Sequence, residues 1–229
     1  NKLIEEFMLL ANKKVAEKMR KSKERFVYRV HDQPDQEKLK NLQTVVKRLG
    51  YNLKLSSNEL NDSLNSLLKK AFGKNEQNLI DTLMIRSMSK AEYTTKNIGH
   101  YGLSFENYTH FTSPIRRYPD VMVHRLIQAE IEGEKIKTDE TETLCKHSTH
   151  MEILATKAER DSVKLMQIKF MKDKEGKTFD AVISGVVARG VFVEVIENKC
   201  EGLVKAKDLP GDFYVHDEKN HRFVGEKTG

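Results

Sequence analysis

Tyr108-Thr109-His110-Phe111-Thr112-Ser113-Pro114-Ile115-Arg116-Arg117-Tyr118-Pro119-Asp120 is the stretch on which the reading of this 229-residue chain turns. Ser113-Pro114 has the form of a helix N-cap followed by proline at the first helical position, where a missing N–H costs nothing. Arg116 and Arg117 would then stand in a first helical turn beside free backbone N–H groups. Charge and directed hydrogen bonds act together on an anion in such a place. A guanidinium is planar, permanently charged and bidentate, so it suits a phosphodiester better than an ammonium does. The neighbouring Tyr and Phe rings offer stacking surfaces for bases. A second reading stands beside this one: Arg116 pairs with Asp120 at i,i+4, and the rings fill the core of a loop.

Downstream, helical spacing continues through Val121, His124, Arg125, Gln128 and Ile131 to Gly133, and a long helical pattern spans 139–174. At Gly176 the period switches to two. Phe179-Asp180-Ala181-Val182-Ile183 and Val191-Phe192-Val193-Glu194-Val195 alternate, with Gly185 and Gly190 between them, and Gly202-Leu203-Val204 follows. This predicts the start of a small β-barrel, about three strands and a long loop, and places a domain boundary between residues 175 and 176.

Upstream, four of the seven tyrosines fall within 91–120, where periodicity is weakest, which predicts an ordered loop. Before it come four helices. The first covers about 3–21, with Leu3, Phe7, Leu10, Val15 and Met19 at helical spacing. A short strand at 26–30 follows, then a helix opened by Asp32-Gln33-Pro34 and stopped at Gly50. Ser56-x-x-Glu59 reads as a capping box for a helix ending at Gly73, and another helix runs over 76–89. The fold class is therefore α+β: a mostly helical part, 1–175, followed by a partial barrel, 176–229.

The formal charge is +6, and it is uneven. Residues 176–229 hold 8 basic and 9 acidic groups, so the excess lies in 1–175 and could favour a polyanion or simply coat helices. No apolar run approaches the ~20 residues of a membrane-spanning helix, and no signal-peptide pattern opens the sequence. Cys145 and Cys200 lie far apart, which argues against a zinc site or disulfide framework and for a reducing compartment.

His110-Phe111-Thr112-Ser113-Pro114-Ile115-Arg116-Arg117-Tyr118-Pro119-Asp120, with Val123-His124-Arg125 after it, resembles the signature of the ribonuclease II/ribonuclease R family. Ile4-Glu5-Glu6-Phe7-Met8-Leu9-Leu10-Ala11-Asn12, Tyr28-Arg29-Val30-His31-Asp32, Ile85-Arg86-Ser87-Met88 and Asn97-Ile98-Gly99-His100-Tyr101-Gly102-Leu103 resemble the ribonuclease R branch in order. The tail from Gly176 is similar to an OB-fold RNA-binding module of the ribosomal S-one type.

The resemblance implies a cytoplasmic, processive 3′→5′ exoribonuclease acting on single-stranded RNA, with Mg2+ held by an aspartate cluster. Arg116 falls on the family arginine that contacts the scissile phosphate. The family glutamate that reads the ribose 2′-OH falls on the Glu5-Glu6 pair and is assigned to Glu6. Arg117 and Tyr118 are expected to touch RNA from the same segment. On the barrel, Phe192 occupies a family stacking position, whereas Arg189 replaces an aromatic residue and Lys205 a histidine. That shifts this face toward phosphate contact.

No set of aspartates is closely spaced here. The Mg2+ ligands are expected upstream of residue 1, with no metal site in these residues, and the isolated chain is expected to be inactive. A non-catalytic RNA-binding relative that keeps the channel and barrel is the alternative. Asp120 and His124 at i,i+4 have a metal-ligand spacing, but a half-buried helix histidine is the preferred reading of His124.

Overall fold

The computed structural model describes all residues except 23–24, 57–58, 75, 135–138, 218–221 and 229. Two compact units emerge, one made of 1–35 with 88–159 and the other of 36–87 with 160–229.

In the first unit, α1 (Lys2–Lys21) fills the predicted range but buries another face. Leu3, Phe7 and Leu10 are exposed, whereas Asn12, Ala16 and Met19 are buried, at spacings of four and three. The apolar residues at the start of α1 therefore do not build this core. β1 (Tyr28–Val30) pairs antiparallel with β2 (Glu92–Thr94), with Arg29 opposite Tyr93. β2 and a 3-10 turn at Tyr101–Leu103 lie in the stretch expected to be a loop. Three residues are too few to show an alternation. Moreover, Tyr93 and Tyr108 are core residues, 4% and 5% exposed, so part of this stretch is interior. α5 (Tyr118–Glu132) ends at Gly133, whose positive φ of 69° closes the helix in the left-handed conformation. Phe26, Val27, Val30, Tyr93, Met122, Val123 and Cys145 join Ala16 and Met19 in one cluster. Cys145 lies on α6 (Thr141–Lys172), which passes from the first unit into the second.

The second unit contains α2 (Gln36–Arg48), α3 (Leu60–Ala71) and α4 (Gln77–Ser87). Leu39, Leu42, Val46, Leu64, Leu67 and Ile80 are buried on their inner faces. The expected capping box is not made. Ser56 Oγ bonds the Glu59 carboxylate at 3.0 Å instead of a backbone N–H, and Glu59 is itself the N-cap of α3.

The same unit holds an antiparallel sheet of β3 (Ala181–Val187), β4 (Gly190–Val195) and β5 (Glu201–Lys205). A further hairpin, β6 (Tyr214–Asp217) with β7 (Arg222–Gly225), occupies what the sequence suggested was a long loop. Gly190 is where β4 comes closest to β5. Its φ is +155°, and a Cβ there would collide with the Val204 carbonyl, so only glycine fits.

Candidate nucleic-acid interface

The segment 113–120 folds differently from its predicted form. Arg116 N and Arg117 N both donate to the Ser113 carbonyl, at 3.3 and 3.1 Å, closing a turn over 114–116. α5 begins only at Tyr118, with extended Arg117 as its N-cap and Pro119 in its first turn. Ser113-Pro114 therefore starts a turn rather than the helix, because Pro119 takes the N-terminal helical place. Asp120, the third residue of α5, is fully buried. Its Oδ2 reaches back to accept from Ser113 N and from Arg117 Nη2, each at 2.8 Å. Its Oδ1 and Arg117 Nε are buried with no protein partner among the described residues.

The Arg116–Asp120 pair weighed from the sequence does not form, because Arg117 takes that carboxylate at i,i+3. Arg116 is exposed and makes no salt bridge among the described residues. It lines a cavity of about 550 Å3 together with Glu5, Asn12, Tyr108, Ser113 and Arg117. Arg117 thus reaches the cavity with part of its charge already matched. Glu5 lines this space. Glu6 is exposed but is not among the lining residues, and neither is half-exposed Tyr118.

Asn12 fixes the other end of the segment, and nothing in the sequence marks it except a polar residue on a buried helix face. Its Oδ1 accepts from Phe111 N and Thr112 N at 3.0 and 3.2 Å, and its amide donates to Tyr108 O–H at 3.1 Å. Thr109 Oγ1 donates to the Val27 carbonyl at 2.7 Å. An irregular segment with its backbone donors satisfied by buried side chains holds one geometry without a helix or sheet ladder. On β1, Arg29 makes a two-pronged pair with Glu152 at 2.6 and 2.9 Å and lies over the Tyr93 ring.

Burial pushes Tyr93 up to about 12, so it stays a neutral phenol, hydrogen-bonded to His110 Nδ1 at 2.8 Å. Burial first, then the Arg117 and Arg29 charges, drives His110 down to about 3. Burial, then His31 and Arg29, lowers His100 to about 4. The unfolded chain takes up these protons near pH ~6.5, the folded chain only near the lower values. Stability from these neutral rings is therefore complete above about pH 6.5 and is lost as the pH falls below it. Between pH 7 and pH 5 the unfolding free energy should fall by on the order of 1–2 kcal/mol per histidine after allowing for partial solvent access, and the melting midpoint with it. His110→Gln, which can still hydrogen-bond Tyr93 but does not titrate, should flatten that fall in a pH series of thermal melts.

Asp120 and His124 do not form a metal pair. His124 Nε2 bonds the Phe111 carbonyl at 2.9 Å, and its ring stacks on Phe111 at 4.2 Å. Among the described residues no three His, Cys, Asp or Glu side chains are grouped to hold a metal ion. The residues present do not fit a Mg2+ site.

On the sheet of the second unit, register places Phe192 opposite Leu203 and Gly190 opposite Lys205. Alternation therefore puts Phe192 and Lys205 on one face. Phe192 is half-buried and lies over Gly185, while Arg189 and Lys205 are exposed. The Arg189 carbonyl accepts from Ala206 N at 3.0 Å, tying the β3–β4 turn to the end of β5. Of the three residues expected from the sequence, Phe192 and Lys205 share a face, and Arg189 stands in the adjoining turn.

Residues 1–133 match the RNB domain and residues 172–227 the S1 RNA binding domain. The chain belongs to the ribonuclease II/ribonuclease R family. Among family members, Ribonuclease R of Aquifex aeolicus is 41% identical over 233 residues, covering all of this chain and 33% of the relative. Ribonuclease R of Escherichia coli is 35% identical over 242 residues, covering 30% of that relative. The chain thus spans about a third of the relatives' length. Mycoplasma genitalium RNase R, solved in complex with ribose methylated single-stranded RNA, matches with a TM-score of 0.89 at 28% identity, over 98% of this chain and 36% of that one. Yeast Ssd1, a pseudonuclease, matches with a TM-score of 0.77 at 25% identity, over 95% of this chain and 28% of that one. The family's fold is therefore shared by nucleases and by at least one pseudonuclease. Among the described residues, no helix is long and apolar enough to cross a membrane.

Proposed function

We propose that the chain is part of a processive 3′→5′ exoribonuclease that hydrolyses single-stranded RNA to nucleoside monophosphates in the cytoplasm. The observation that carries this reading is the Arg116 guanidinium, free of any salt bridge among the described residues, at a cavity that Glu5 also lines. A fixed cation there neutralises charge that grows on the scissile phosphate in the transition state. Because Asp120 and Asn12 hold the backbone on both sides of it, little is lost to reorganisation when that charge appears. Glu5, rather than Glu6, is the carboxylate positioned to accept from a ribose 2′-OH, the group that separates RNA from DNA. Phe192, Arg189 and Lys205 add a second contact to the strand, one ring and two cations. The reaction is proposed to be magnesium-assisted, with the ion held by carboxylates outside these residues. The relative solved with single-stranded RNA supports the substrate class.

A second reading, an RNA-binding relative without catalysis, is favoured by the likeness to a pseudonuclease. The two separate on one experiment. The full-length protein with Mg2+ and a 5′-labelled single strand should shorten it progressively and release nucleoside monophosphates. The isolated 229-residue chain should leave the strand intact. Binding without shortening by the full-length protein would select the second reading.

A further inference from the structure

Phe213 lies between β5 and β6 and is 78% exposed, yet the backbone that carries it is pinned on both sides. Gly211, at φ +98°, turns the chain, and Tyr214 O–H donates to the Pro210 carbonyl at 3.0 Å. The Phe213 carbonyl accepts from Glu226 N at 2.8 Å, and its N–H donates to Asp212 Oδ1 at 2.7 Å. Asp212 Oδ2 accepts from Lys227 N, Thr228 N and Thr228 Oγ1, each at 2.9 Å. That carboxylate, which lines the cavity beside the Phe213 ring, therefore turns its oxygens to the loop backbone and Thr228 rather than to a lysine ammonium.

Beside the ring opens a cavity of about 520 Å3, lined also by Lys207, Tyr214 and Lys227. Neither lysine forms a salt bridge among the described residues. The volume is within the ~300–1,000 Å3 range of small-ligand sites. An exposed ring on a fixed backbone, with two ammonium groups lining the same cavity, matches the repeat of a single strand, in which flat bases alternate with phosphates. A protein partner would not require two cations with no salt bridge among the described residues beside the ring.

We propose that Phe213, Lys207 and Lys227 form a nucleotide-stacking subsite for single-stranded RNA, built from residues other than Arg189, Phe192 and Lys205. It rests on the RNA-binding reading given above.

Fluorescence anisotropy of the 229-residue chain with labelled oligoadenylate tests it, with an abasic ribose-phosphate oligomer as control. Phe213→Ala should weaken oligoadenylate binding at least ~5-fold, the low end for losing one stacked base, and leave the abasic strand almost unaffected. Phe213→Tyr should retain affinity. Because the side chain is exposed, neither change threatens the fold. Lys207→Gln with Lys227→Gln should lower the slope of log K against log salt by roughly 1.4. Equal binding by Phe213→Ala and wild type would overturn the subsite and assign the ring to a protein contact. So would an equal loss on both strands. If Phe192→Ala weakens binding while Phe213→Ala does not, only this inference fails. If the wild-type chain binds no single strand, the RNA reading fails with it.

Discussion

Arg116→Ala in the full-length protein should slow single-turnover cleavage of single-stranded RNA by ~10² or more, while the dissociation constant changes little. Two features of the site set these different sizes. The Arg116 guanidinium lines the cavity with no salt bridge among the described residues, so its positive charge is available to the phosphate. In the ground state it is one phosphate contact among several, and losing it changes the salt slope of binding by only about 0.7. In the transition state it faces new negative charge, and a fixed donor acts on that charge more than on the ground state. Arg116→Lys should restore part of the rate, because an ammonium keeps the charge and loses the two-pronged geometry. Stability should move by no more than about 0.5 kcal/mol, since the side chain is exposed. Equal turnover in variant and wild type would remove Arg116 from the reaction.

The choice between Arg116 and Arg117 shows what the sequence could and could not carry. Both arginines, their segment and its anion-binding character are legible from residue types alone. Which one is free depends on whether 113–117 is helix or turn, because that decides which side chain faces Asp120. Two prolines five residues apart can each open a helix, and only the structure selects Pro119. The same limit separates Glu5 from Glu6. Adjacent helix residues point about 100° apart, and the apolar pattern of α1 misleads about its inner face. Leu3 and Phe7 look like core and are exposed, whereas Asn12 looks like surface and is 4% exposed. Buried polar residues that bond loop backbone carry no periodic signal, so Asn12 escapes any reading by hydrophobic pattern. The barrel was more legible, because alternation and glycine spacing report local pairing directly. Phe192 and Lys205 accordingly share a face. The β6–β7 hairpin was less so, since its two strands have four residues each.

Asp120→Ala should destabilise the 229-residue chain by about 3–5 kcal/mol, read as a fall in the denaturant midpoint. The magnitude follows from what the carboxylate leaves behind. Asp120 is 0% exposed and its partner Arg117 only 19%, so truncation strands a positive charge away from water. It also strands the Ser113 N–H, which accounts for a further part of the loss. Removing both charges should cost less than the two single losses combined, because Arg117→Ala takes away the group that Asp120→Ala would leave unmatched. A double-mutant cycle on Asp120 and Arg117 should therefore show a coupling of about 1–3 kcal/mol. Strict additivity would mean that the pair is incidental and that the turn is held by other contacts. Because Oδ1 and Arg117 Nε already lack protein partners, the pair is a costly way to hold a turn. Such an arrangement stabilises the fold less than an apolar core would. Its consequence is local: the turn is fixed through Ser113, Arg117 is drawn inward, and Arg116 is left at the cavity with no salt bridge among the described residues.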